Sequence, residues 1–193
     1  MRVFVAVEPG AELLQKFGDL LGRLSPKAPS AKWVDPEGLH ITLAFLGDIA
    51  EERVPLVIAA AESAAALHRP LTLQIAKGGT FGAGRRPRVL WLGVGGEVDE
   101  LSGVRRDLEQ ALAMSTGYVP EEGRFEPHLT IARSRDPRGD PALETCVQAI
   151  GDTDFGELHV DQIVVVRSDL TPKGARYTVM ARAPLTSLLQ PES

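Results

Sequence analysis

The sequence holds one cysteine, Cys146, in 193 residues. No disulfide can form within the chain, and no thiolate-rich metal site can be assembled. That usage suits a reducing compartment, so a cytoplasmic location is expected, with Cys146 as a small core residue. Aromatic residues are also scarce, at 5%, so an aromatic side chain beside a polar motif stands out. No apolar run approaches the ~20 residues of a membrane-spanning helix. The apolar stretch from Met1 to Pro9 is too short for a secretory signal, so no membrane association is expected. An excess of positive charge is missing too: the net charge is −5. This argues against a protein that coats long duplex nucleic acid. The positive charge that exists is clustered arginine, namely Arg85, Arg86 and Arg88, then Arg105 and Arg106, then Arg133, Arg135 and Arg138. Such clusters are either solvated surface or a local rim for a phosphate ester. The glycines around 79–84 and 93–96 lack dinucleotide or P-loop spacing, and no Gly-x-Ser-x-Gly occurs, so no cofactor is expected.

What the chain does have is a repeated motif. Leu39-His40-Ile41-Thr42-Leu43-Ala44-Phe45-Leu46 recurs in reduced form as Pro127-His128-Leu129-Thr130-Ile131-Ala132-Arg133. Both copies read His, apolar, Thr, apolar, Ala. Apolar and β-branched residues alternating with polar ones predict a β-strand. On a strand, residues two apart share a face, so His40 and Thr42 point one way and Ile41, Leu43 and Phe45 the other. Phe45 is therefore expected in the core. Two such strands facing one another would enclose a polar site of two imidazoles and two hydroxyls. One His-x-Thr is ordinary; two copies with the same flanks point to function.

The remaining pattern predicts strands over 2–7, 31–34, 71–76, 88–94, 158–168 and 176–183. Helices are predicted over 11–24, 51–67, 98–114 and 142–150. Loops are expected over 78–87 and 116–126, a turn at 171–174, and a loose tail from Thr186. Strands adjacent in sequence, joined by tight turns, favour an α+β fold of mostly antiparallel sheet. The motif copies lie 88 positions apart. We expect a single domain, 1–193, of two pseudo-symmetric lobes with outer helices and a central cleft between the sheets.

Two imidazoles flanking a phosphorus suit in-line displacement, one accepting a proton from water and one donating to the leaving oxygen. The symmetry of the motif leaves the two roles unassigned. Thr42 and Thr130 can donate to the non-bridging oxygens. No metal ion enters this scheme. Arg133 is the obvious further cation, but strict alternation puts it on the face opposite His128, unless the strand ends, twists or bulges near Ala132. His68, at a helix end, and His159, on a strand, complete no metal-ligand spacing and receive no role. Trp33 and Phe125 are the aromatics favoured to stack on a base, with Phe81 also near a motif.

The motif pair resembles the signature of the two-histidine phosphoesterase superfamily. More narrowly, the chain is similar to the bacterial and archaeal RNA 2′,3′-cyclic phosphodiesterases, historically called 2′-5′ RNA ligases. The likeness extends to Arg2–Val7, Trp33-Val34, Phe45-Leu46-Gly47, Arg86–Trp91 and Phe125–Arg133. It implies a bilobal α+β fold with one motif from each lobe. It implies metal-independent opening of an RNA-terminal 2′,3′-cyclic phosphate to a 2′-phosphate, and 2′-5′ ligation as the reverse transfer. His40 would be the proton donor and His128 the acceptor, with Thr42, Thr130 and Arg133 holding the phosphate. The partners would be RNA ends or nucleotides carrying the cyclic phosphate, bound by a monomer. Two other readings remain open: a phosphodiesterase for 2′-5′ oligonucleotides or small cyclic phosphates, and a non-catalytic module that binds RNA ends.

Overall fold

Leu13, Phe17, Leu20, Leu21 and Leu24 recur at helical spacing, and all five are buried on one face of a helix. Each such side chain contributes about 1.5–3 kcal/mol on leaving water. A computed structural model describes residues 1–82, 86–172 and 174–187. Arg85 of the first arginine cluster, residues 83–84 of the glycine-rich stretch, Lys173 of the expected turn, and residues 188–193 of the tail lie outside the described residues. The elements are β1 (Arg2–Val7), α1 (Ala11–Leu24), β2 (Lys32–Trp33), β3 (Ile41–Asp48), α2 (Val54–Ala65), β4 (Leu71–Phe81), β5 (Val89–Gly96), α3 (Val98–Thr116), β6 (His128–Arg133), α4 (Ala142–Ile150), β7 (Asp154–Val160), β8 (Gln162–Thr171) and β9 (Gly174–Pro184). The strands form one sheet in the order β7-β4-β5-β6-β3-β1-β8-β9, with β2 paired to β6. Every pairing in it is antiparallel. All four helices pack their apolar residues into one core with the same face of the sheet.

The α+β class, the antiparallel pairing and the outer helices agree with the sequence. The two sheets do not: there is one sheet, continuous through a single central pair, Ile41 with Leu129. The motif strands are lateral neighbours and do not face one another. The two-fold relation is visible in the register. On one side Val7 pairs with Ile41, Ala6 with Thr42, Val5 with Ala44 and Phe4 with Phe45. On the other, Leu92 pairs with Leu129, Trp91 with Thr130, Leu90 with Ala132 and Val89 with Arg133. Each motif strand carries one extra residue at the same place, Leu43 or Ile131. Ile41 and Leu129 are thus equivalent, and they meet on the pseudo-two-fold axis. The chain also crosses between halves. β4 follows α2 but pairs with β5 and β7, whereas β8 returns to pair with β1 and β9.

Several element boundaries differ from expectation for local reasons. The apolar run over 158–168 is two strands, broken at Asp161, because its ends belong to opposite halves of the sheet. The loop expected from Gly78 is still strand as far as Phe81, after a bulge at Lys77, whose φ is 61°. Gly95 and Gly96 remain paired in β5. The helix expected from Glu51 opens with a 3-10 turn, Glu51–Arg53, before α2. The tail is held further than expected: Leu185 is buried and the Ser187 amide donates to the His68 carbonyl. Cys146 is a buried free thiol.

Candidate active site

The Asp35-Pro36-Glu37-Gly38 turn determines how His40 enters the sheet. The Asp35 carboxylate accepts from the Glu37 amide, and the Gly38 and Leu39 amides close a 3-10 turn. This leaves the Gly38 carbonyl 2.7 Å from His40 Nδ1. A carbonyl only accepts, so Nδ1 carries the proton and Nε2 is the free nitrogen. The same device serves His128: Nδ1 lies 2.7 Å from the Glu126 carbonyl. Glu126 precedes Pro127 and is thereby biased to an extended backbone. Both imidazoles therefore hold the same tautomer and leave Nε2 free.

Antiparallel pairing about Ile41 and Leu129 sets the rest of the geometry. Thr42 falls beside His128, and His40 beside Thr130. The two histidines are diagonal neighbours, roughly 7–8 Å apart at the backbone. The bulges then change which face later residues take. Leu43 and Ala44 are both buried, and so are Ile131 and Ala132. Two consecutive inward residues flip the alternation. Phe45 consequently leaves the core, where it was expected, and is 37% exposed with the Arg2 guanidinium over its ring. Arg133 flips in the same way onto the face of His128 and Thr130, so the parity objection is removed. By the two-fold relation Arg133 stands next to His40, and Phe45 next to His128.

The surroundings of the two rings differ. His40 stacks on Phe4, with centroids 4.6 Å apart, and meets the edge of Tyr177 at 5.3 Å. Phe4 belongs to a small apolar cluster with Ala6, Val164 and Val166. Burial pushes the His40 imidazole below its ordinary value; the Gly38 carbonyl opposes this, and the Arg133 guanidinium adds to it. The His128 ring meets Phe81 edge-on at 4.9 Å, with Trp91 at 6.4 Å behind. Both backing aromatics sit over glycines. A Cβ on Gly79 would lie 2.2 Å from the Trp91 ring, and one on Gly38 would lie 3.0 Å from Tyr177. Gly79→Ala is therefore expected to force Trp91 off its strand and cost about 1–3 kcal/mol. Thermal unfolding would register this, and an unchanged midpoint would mean that Trp91 is free to move.

A depressed imidazole also makes stability pH-dependent. The unfolded chain binds a proton to His40 near pH ~6.5, whereas the folded chain resists it to lower pH. Between those values the unfolded state holds more protons, so stability falls as pH falls. We expect the unfolding midpoint to drop on acidification from pH ~7.5 through the imidazole range. The His40→Phe variant should show a shallower drop; an identical slope would count against a buried, depressed His40.

A cavity of about 260 Å³ adjoins His128, with Thr42, Phe45, Phe81, Tyr118 and Phe125 also in its wall. Phe125 lines it, and the Arg105 guanidinium covers its ring at 4.5 Å. Trp33 does not line it. Paired with buried Ala132, Trp33 faces the core, and its indole N–H donates to the Ala28 carbonyl. Sequence reasoning missed Phe4, Tyr177, Trp91 and the outward Phe45. The Ala shared by both motifs marks the bulge, and two adjacent apolar residues at the same place in each copy are the signal that exposes Phe45. His68 bonds the Asp107 carboxylate of α3 at 2.8 Å and does not address the helix end; His159 lies 3.1 Å from the Thr72 hydroxyl. Among the described residues, no helix is long and apolar enough to cross a membrane.

Residues 9–172 match the model of the 2′-5′ RNA ligase superfamily. An RNA 2′,3′-cyclic phosphodiesterase of Aeropyrum pernix is 35% identical over 150 residues, covering 77% of this chain and 83% of the relative. One from Methanothermobacter thermautotrophicus is 30% identical over 180 residues, covering 93% and 96%. The crystal structure of TT0787 from Thermus thermophilus superposes with a TM-score of 0.81 at 29% identity, covering 97% of this chain and all of that one. With a match across most of its length and relatives that share its whole fold, this chain belongs to the 2′-5′ RNA ligase superfamily.

Proposed function

We propose that the protein hydrolyses the 2′,3′-cyclic phosphate at the end of an RNA, leaving a 2′-phosphate and a free 3′-hydroxyl. The observation that carries this reading is the pair of diagonal imidazoles, each tied through Nδ1 to a carbonyl two residues upstream, with both Nε2 atoms free. His128 accepts a proton from water as its oxygen attacks phosphorus. The bond from phosphorus to the 3′-oxygen breaks, and His40 delivers a proton to that oxygen. Thr42 and Thr130 donate to the non-bridging oxygens, where charge grows in the transition state. Arg133 adds charge stabilisation there.

The motif is symmetric, so the division of labour needs a cause outside it. Burial and Arg133 both push the His40 imidazole below its ordinary value, which makes its protonated form readier to give up a proton. Bound phosphate places negative charge beside the ring and favours its protonated form before the leaving oxygen departs. The aromatic cavity beside His128 suits the terminal base, with Phe125 and Phe45 as stacking surfaces. Ligation to a 2′-5′ linkage is the same transfer run backwards, with a ribose hydroxyl in place of water. The scheme uses no metal, so EDTA should leave the rate unchanged. The reading treats the protein as a monomer acting in the cytoplasm, in which one chain supplies both motifs.

The test is incubation with an RNA ending in a 2′,3′-cyclic phosphate, followed by phosphorus NMR. The expected product is the 2′-phosphomonoester. An intact ring, or a 3′-phosphate, would overturn the reading.

A further inference from the structure

Beyond Arg133 the sheet runs into a second concavity. Lys32 and Val89 both pair with Arg133, and paired residues point to the same face. Lys32 therefore stands beside Arg133 on the site face. Two or three residues further along each chain, roughly 7–10 Å at strand rise, the three segments open into a groove of about 590 Å³. Ser30, Arg86, Ser134 and Arg135 line it. Its walls are tied to each other by backbone. The Ser134 amide donates to the Arg88 carbonyl, and the Asp140 amide donates to the Pro87 carbonyl. Gly139, at φ +92°, comes so close to Arg86 that a Cβ would lie 2.1 Å from its carbonyl oxygen. The groove is thus a built feature of the fold.

A row of cations leads into it, although the whole chain carries −5. Lys32, Arg86, Arg88, Arg133 and Arg135 make no ion pair among the described residues. Two acids also line the groove: Asp136 is held by Arg138, and Asp140 accepts from the Ala142 amide through one oxygen while the other is buried without a partner. At the opposite end of the site the aromatic cavity mixes charges, with Glu121, Glu122 and Glu126 beside Arg105 and Arg124, and Arg105 is paired with Glu109. A polyanion that leaves the histidines past Arg133 and Lys32 meets cations that have no carboxylate partner, and is attracted there.

We propose that the Arg86–Arg135 groove binds the backbone phosphates of the RNA upstream of its reacting end, so that the preferred substrate is an RNA chain and not a mononucleotide. This rests on the hydrolase reading above. A terminal base in the aromatic cavity sends the preceding nucleotides over Arg133 and Lys32 into the groove.

The test compares a short oligoribonucleotide ending in a cyclic phosphate with a 2′,3′-cyclic mononucleotide, using wild type and the Arg86→Gln, Arg135→Gln double variant. Both arginines are exposed, so the variant should fold, and circular dichroism checks this. We expect kcat/KM on the oligonucleotide to fall about tenfold through KM, and its salt slope to flatten by about two. Mononucleotide kinetics should stay within about twofold, since only an upstream contact is lost. Equal loss on both substrates, or none on the oligonucleotide, would overturn the proposal. If wild type hydrolyses neither substrate, the hydrolase reading fails by itself. Fluorescence anisotropy with a labelled, 3′-phosphorylated RNA then still decides the groove: weaker binding by the variant supports it, and equal binding sinks it.

Discussion

His128→Ala and His40→Ala should each lower kcat on a cyclic-phosphate-terminated RNA by roughly 10²–10⁴-fold, because each removes one of two proton transfers. The double variant should fall well short of the product of the two losses, since groups that act as a unit are not additive. The two single variants should differ in stability. His128 touches Phe81 edge-on and its Nδ1–H bond is exposed, so its removal leaves the fold nearly as stable as before. His40 is stacked on Phe4 and edged by Tyr177; truncation there forfeits an aromatic contact worth about 0.5–1.5 kcal/mol. Circular dichroism of both variants separates a chemical loss from unfolding. Full activity in either variant would remove that histidine from the reaction.

Arg133→Ala should lower kcat/KM by about 10²–10³-fold, the usual effect of deleting one preorganised donor to a developing oxyanion. It should also move His40. The guanidinium holds that imidazole down, so its loss lets the ring titrate closer to the ordinary value. NMR titration of His40 reads this directly. Arg133→Lys keeps the charge without the planar fork, so it should restore the depressed titration while recovering only part of the rate. Unchanged titration together with activity within about twofold of wild type would mean that Arg133 takes no part.

These two expectations stand on features of unequal legibility. The His and Thr pairs were readable because a duplicated motif is improbable by chance and strand alternation assigns each residue a face. The bulge is signalled only by the Ala that both motifs share, and strict alternation without it puts Arg133 on the wrong side and Phe45 in the core. Alternation counts residues, and a single inserted residue reverses everything downstream. The rings that back the histidines were hidden for another reason. Phe4 lies in a run that is nearly all buried, Arg2–Val7, where no alternation shows, and Tyr177 reaches His40 from the last strand of the sheet. Proximity of that kind depends on the crossing of β8 and β9 back to the first half, which nothing local encodes. The motif's flanks were informative where they formed turns: Asp35–Gly38 aims a carbonyl at His40, and Pro127 does comparable service for His128.

The crossing has a further consequence, for ancestry. In each half the strand beside β1 or β5 is delivered by the other repeat: β8 to the first, β4 to the second. A half-length chain with a single His-x-Thr motif would therefore leave the place of its own donated strand empty. Two such chains, meeting at the residue now represented by Ile41 and Leu129, would each lend a strand and close one continuous sheet. The pattern is that of a strand-swapped homodimer joined into one polypeptide. Within one polypeptide the equivalent positions 45 and 133 are free to differ, and Phe45 and Arg133 give the two histidines different neighbours.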